Sequence, residues 1–118
     1  MNFGYKIWIE KDGNNVFGMG IYNILNLVAE TGSLHKAAQG LKMSYRAAWG
    51  KVRDYEDRLG VELLEKGRHG RTGAQLTNEG RLMLDHFKHV KEEMDSLVST
   101  GPLAELMAKI DKLGPCTR

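Results

Sequence analysis

Two short helical stretches separated by only a few residues constrain this chain more than any other feature: "TGSLHKAAQGLKMSYRAAWGKVRDYEDRLG", residues 31–60. Gly32 can take the left-handed conformation that ends a preceding helix. Ser33 then offers its hydroxyl as the N-cap of a helix over roughly residues 34–40, with Leu34, Ala37, Ala38 and Leu41 on its inner face. Ser44 is the next cap, opening a helix that runs to Leu59 and stops at Gly60. Its inward positions are Ala48, Val52, Tyr55 and Leu59, at steps of four, three and four. Helices joined this tightly must cross near their ends. Ala37 and Ala38 supply the small residues such a crossing needs, and Met43 the apolar side chain that locks the turn.

The flanking segments complete the pattern. "YKIWIE", residues 5–10, alternates, which predicts a half-buried strand with Ile7 and Ile9 on one side and Lys6, Trp8 and Glu10 on the other. "KDGNN" carries an Asp-Gly hairpin signal, and "VF" is the return strand. Ile21, Ile24, Leu25 and Val28 then form the stripe of an amphipathic helix from residue 20. After Gly60, "VELLEKGRHGRTGAQLT" predicts a strand anchored by Leu63 and Leu64, a glycine-rich basic loop, and a return strand anchored by Ala74 and Leu76. Thr77 caps a long helix with Glu79 in its first turn, near the positive end of the dipole. Pro102 in "STGPL" breaks that helix, and Leu103 to Leu113 form a last amphipathic piece carrying Leu106, Met107 and Ile110. The order β-β-α-α-α-β-β-α-α predicts a mainly α fold with small β: a winged helix-turn-helix with a leading β-hairpin and C-terminal dimerisation helices. Residues 1–80 make the winged unit and 81–118 the C-terminal helices.

Charge is uneven along the chain. Residues 33–72 hold nine Lys/Arg against five Asp/Glu, and the remainder eight against ten. Such polarity suits one face turned toward a polyanion. No apolar run approaches the ~18–20 residues of a membrane span. The N-terminus lacks a basic leader with an apolar stretch, and Cys116 is the single cysteine, so the expectation is a cytoplasmic protein without disulfides or membrane partner.

In a helix-turn-helix unit the first helix braces on the phosphate backbone and the second enters the major groove. With Ala48, Val52 and Tyr55 inward, the opposite face carries Tyr45, Arg46, Trp49 and Arg53. Arg46 is the candidate for a bidentate contact to guanine, worth roughly 1–3 kcal/mol of base discrimination. Tyr45 can donate to a phosphate or pack on a thymine methyl; Ser33, Ser44 and backbone N–H groups complete the helix-pair contacts. Trp49 fits either the rim of the core or the DNA wall. Lys66, Arg68, His69 and Arg71 in the wing can neutralise phosphates or reach the minor groove.

Residues from "ETGSLHKAAQGLKMSYRAAWGKV" to "LTNEGRLML" resemble the N-terminal DNA-binding domain of ModE-type molybdate-responsive regulators. That domain is itself similar to the winged head of LysR-type regulators. The "TGS…AA…MSYRAAW" run, the glycine-rich wing, the "LT..G" start of the long helix and the opening hairpin carry the resemblance, over about residues 5–95. It implies a homodimeric, sequence-specific duplex DNA binder contacting through Ser44, Tyr45, Arg46 and the wing cations. Molybdate sensing needs a second, oxyanion-binding region that does not follow here. Molybdate or tungstate is therefore not carried over as an effector, and the chain is expected to be a stand-alone head or a fragment.

Along the long helix Met83, Phe87, Val90, Met94 and Leu97 repeat in the 4-3 spacing of a two-helix seam, and are the expected dimerisation residues. His86 and His89, at i, i+3, have metal-compatible spacing but no further Cys/His cluster beside them, so no metal or other cofactor is expected. Cys116 has no base near it in sequence, and no nucleophile, phosphate-loop or dinucleotide motif is present, so no enzyme is expected. The alternatives are a winged-helix protein-interaction module and an oxyanion-responsive head.

Overall fold

Every helix of the core begins or ends at a residue suited to it. In the computed structural model, which describes residues 3–65 and 73–114, α1 (Met19–Thr31) stops at Gly32, whose φ of 70° returns its N–H to the Val28 carbonyl. The Ser33 hydroxyl accepts from the Lys36 amide to open α2 (Leu34–Gly40). The Ser44 hydroxyl accepts from the Ala47 amide to open α3 (Tyr45–Leu59), which closes on Gly60 at φ 74°. The Thr77 hydroxyl accepts from the Gly80 amide to open α4 (Asn78–Thr100). Pro102 occupies the first turn of α5 (Pro102–Lys112), where its missing N–H costs nothing. The turn between α2 and α3 holds Lys42 at φ 57°, a left-handed conformation that side chains with a Cβ disfavour.

Ahead of the helices, β1 (Trp8–Lys11) and β2 (Asn14–Gly18) pair antiparallel around Asp12 and Gly13, both at positive φ, as a two-residue hairpin requires. A bulge opposite the Ile9/Glu10 step leaves Val16 as the extra residue, and Val16 and Phe17 are both buried. The expected half-buried alternation of the first strand is not found. All four residues of β1 are exposed, Trp8 and Ile9 about half so, because β2 alone lies against the helices while β1 is the outer edge. Ile7, just before it, packs partly on the core.

That core joins Phe17 to Ile21, Ile24, Leu25 and Val28 of α1, Leu34, Ala37 and Ala38 of α2, Ala48 and Val52 of α3, Leu63, Leu64 and Leu76 of the wing base, and Leu84 and Phe87 of α4. Phe87 meets Phe17 edge-on at 5.1 Å and Tyr22 at 5.2 Å. The wing base is narrower than two full strands: Leu64 and Leu76 form one isolated bridge, reinforced by Glu65 N–H to Gln75 O and Thr77 N–H to Leu63 O. Ala74 N–H donates to Gly32 O, tying the wing to the α1–α2 junction. Gly80 packs so close to this base that a Cβ there would meet the Leu63 carbonyl oxygen at 2.2 Å, so the "LT..G" spacing has a steric cause.

Glu56, on the core side of α3, is 6% exposed. Its Oε2 accepts from the Leu63 and Leu64 amides at 2.7 and 3.2 Å, joining the third helix to the start of the wing. The apolar periodicity of α3 does not reveal it. Beyond the core the C-terminal helices project: the radius of gyration is 18.1 Å, against about 13.5 Å for a compact chain of this length.

Candidate nucleic-acid interface

Between Ser33 and Arg53 the chain has no carboxylate, while Lys36, Lys42, Arg46, Lys51 and Arg53 fall within it. The ion pairs Arg58–Asp54, His89–Glu93, Lys91–Asp95 and Lys109–Glu105 all begin from residue 54 onward. Among the described residues, Lys36, Lys42, Arg46 and Arg53 are exposed and take part in no ion pair or hydrogen bond through their side chains. A cationic face without internal partners keeps its charge for an outside anion.

Arg46 and Arg53 stand seven residues apart on α3, hence on one face and roughly 10.5 Å apart along the axis. That is about the rise of three base pairs. Both project from the side opposite Ala48 and Val52, which are fully buried. Ser44 is exposed at the helix start with its oxygen engaged by the Ala47 amide. Tyr45 is 43% exposed. One face of its ring is covered by His35 of α2, stacked at 3.9 Å with 11° between the planes. Trp49 is half-buried and packs against the core, which favours the rim over an outward position.

Ser33 departs from the expectation of a phosphate contact. It is 5% exposed, and its hydroxyl oxygen is occupied in capping α2, so it shapes the surface from beneath. Lys66, Arg68, His69 and Arg71 lie outside the described residues; the flanking wing base emerges beside the α1–α2 junction. His35 was not among the expected contacts. Its position in the first turn of α2, opposite the inward Leu34, Ala37 and Ala38, marked it as outward, but its meeting with the first turn of α3 is set by the four-residue link between the helices.

The expected dimerisation seam divides. Phe87 is 5% exposed and Met83 packs on the core, so these two serve the fold of their own chain. The reason is helical geometry: Gly80, Leu84 and Phe87 set the inward face, and Val90 and Leu97 fall roughly 80–100° around from it. Val90 and Leu97 are 50% and 57% exposed, and Leu82 joins them. Met94 is half-covered and borders, with Phe3, Tyr5 and Leu97, an apolar groove of about 500 Å³ under the N-terminal segment. A second apolar groove, about 260 Å³, lies between the hairpin (Trp8, Ile9) and α4 (Leu82, Val90). His86 lines it, and His89 sits 3.9 Å from Glu93; no group of three metal-ligating side chains forms among the described residues.

Comparison with solved structures finds the same arrangement. The BenM DNA-binding domain, solved on its benA site 1 DNA, shares 25% identity over 68% of this chain and 90% of its own, with a TM-score of 0.58. The CbnR DNA-binding domain, solved with DNA, shares 27% over 65% and 85%, TM-score 0.56. DarR from Vibrio fischeri, also in complex with DNA, is alike in fold at 18% identity, over 80% of this chain and 30% of its own, TM-score 0.58. No curated protein sequence matches. Residues 22–81 match the bacterial regulatory helix-turn-helix proteins of the lysR family. That stretch is just over half the chain and contains the helix pair and the wing base, so the chain belongs to the lysR family.

Proposed function

We propose that this chain binds duplex DNA sequence-specifically as a homodimer, reading a palindromic site with helix 44–59 and wing 66–73. As a lysR-family protein it is a DNA-binding transcriptional regulator. The observation that carries the detailed reading is the outer face of α3, where Arg46 and Arg53 are exposed and without partners among the described residues, on a stretch free of carboxylates. Arg46 reads a base edge, Tyr45 and Ser44 hold phosphates, and the wing cations Lys66, Arg68, His69 and Arg71 add sequence-independent affinity. BenM and CbnR domains solved on DNA support this use of the fold.

Residues 1–80 form the DNA-binding unit and 81–118 the pairing segment, with Leu84 and Phe87 built into the former's core. Leu82, Val90 and Leu97 on α4, with Leu106 and Ile110 on α5, are exposed apolar positions that a second copy of the chain covers. A twofold pair sets its two reading helices one DNA turn apart, roughly 34–36 Å. No helix among the described residues is long and apolar enough to cross a membrane, in keeping with a cytoplasmic site of action.

Capture of genomic DNA fragments at rising salt tests the reading. Specific sequences should persist as bulk DNA is lost. Loss of all fragments at the same salt would instead favour a winged-helix protein-interaction module. The finer ModE-type assignment rests on the "MSYRAAW" run and the leading hairpin, and calorimetry with molybdate and tungstate tests whether an oxyanion acts on this head.

A further inference from the structure

We propose that His35 is a further DNA-contacting residue, whose imidazole, laid flat on Tyr45, meets the phosphate backbone beside the reading helix. The inference rests on the reading of α2 and α3 as the DNA-binding pair. Three observations carry it. The rings of His35 and Tyr45 stack at 3.9 Å and 11°, so the stack holds the imidazole over the first turn of α3. His35 is exposed, and neither ring nitrogen has a hydrogen-bond partner among the described residues. The stack also bridges the first turns of both helices, the place where a brace on phosphate and a reader of bases must keep a fixed spacing.

The charged and titratable groups around it favour an anion from outside. On α2 these are His35 itself and Lys36, in the turn Lys42, and on α3 Tyr45 and Arg46. The nearest carboxylates along the chain are Glu30 before the pair and Asp54 after it. With no carboxylate between them, the anion that fits His35 is a phosphate oxygen of the duplex. An imidazole N–H donates a hydrogen bond to a phosphate oxygen.

The test is anisotropy with a duplex selected from a random pool, at several salt concentrations, using the whole chain. His35→Phe keeps a ring on Tyr45 but has no N–H to donate, and should bind that duplex roughly two- to tenfold more weakly than the parent, the effect of one hydrogen bond. Its melting temperature is followed alongside and should match the parent's. Equal affinity of the parent and His35→Phe overturns the proposal while leaving DNA binding intact. Absence of binding to any duplex overturns both this inference and the reading beneath it.

Discussion

The face made by α2 and α3 and the face running along α4 and α5 are both open to solvent, yet they are built from opposite materials. The first exposes Lys36, Lys42, Arg46 and Arg53 with no carboxylate between residues 33 and 53, and Arg46 and Arg53 are not neutralised from within the described residues. The second pairs its charges along the helix, as in Lys91–Asp95 at 3.1 Å and Lys109–Glu105 at 3.6 Å. Between these it exposes Leu82, Val90, Leu97, Leu106 and Ile110. Burying exposed leucines and valines gains free energy through desolvation, with little regard for sign of charge. Unpartnered arginines gain only against an anion. The same 118 residues thus carry one surface suited to a polyanion and one suited to another apolar surface.

Charging the apolar surface should have the largest effect. Val90→Glu with Leu97→Glu should convert the proposed dimer to monomer in sedimentation while the melting temperature of the monomer hardly changes, since both side chains are half-exposed. A cooperative loss of fold instead would mean that these residues serve their own core. Next in size, Arg46→Ala should cost roughly 1–3 kcal/mol at one base pair per half-site and leave the oligomeric state alone. Were it to shift the sedimentation profile, the two faces would not be independent.

Lys42→Gly is a smaller probe. Relief of the left-handed strain at φ 57° should raise stability by about 1 kcal/mol in denaturant titration. The loss of one turn cation should also weaken DNA binding slightly. The smallest effect lies at the far end, where the Tyr5 hydroxyl donates to Asp95 Oδ1 and Lys91 donates to Asp95 Oδ2. The Tyr5 and Lys91 hydrogen bonds hold Asp95 below the usual carboxylate range, and the same bond to Asp95 holds the Tyr5 phenol above its usual value. The Asp95 contribution is therefore present above the ordinary carboxylate pKa and fades as pH falls through its lowered one. That of Tyr5 is complete below the ordinary phenol pKa and fades as pH rises through its raised one. Tyr5→Phe should remove the alkaline edge and weaken the acid one, which Lys91 still supports, in the pH dependence of amide shifts in the N-terminal segment, with no change at α3.

Most of the architecture was legible in local signals. Ser33, Ser44, Thr77, Gly32 and Gly60 mark helix ends through side-chain and backbone chemistry that acts within a few residues, and the structure places them there. The inward stripe of α1 was equally plain. What escaped was decided by tertiary neighbours. Ile9 alternates like a buried strand residue, but β1 has no layer to cover it. Phe87 and Val90 share one heptad-like run, yet only Phe87 meets Phe17 and Tyr22. Glu56 reads as a solvated charge until the Leu63 and Leu64 amides arrive from the wing. The stacking of His35 on Tyr45 depends on how the turn folds back, which no periodicity records.

We propose that α3 presents Arg46, exposed and unpaired among the described residues, to a base edge. Parallel selection of random duplexes by the parent and by Arg46→Ala, at one fixed salt concentration, tests it most directly. The expected result is a two-half-site palindrome for the parent and the same palindrome for the variant, with one position in each half-site relaxed. Identical enriched sequences from both proteins, or no enrichment by the parent, would contradict it.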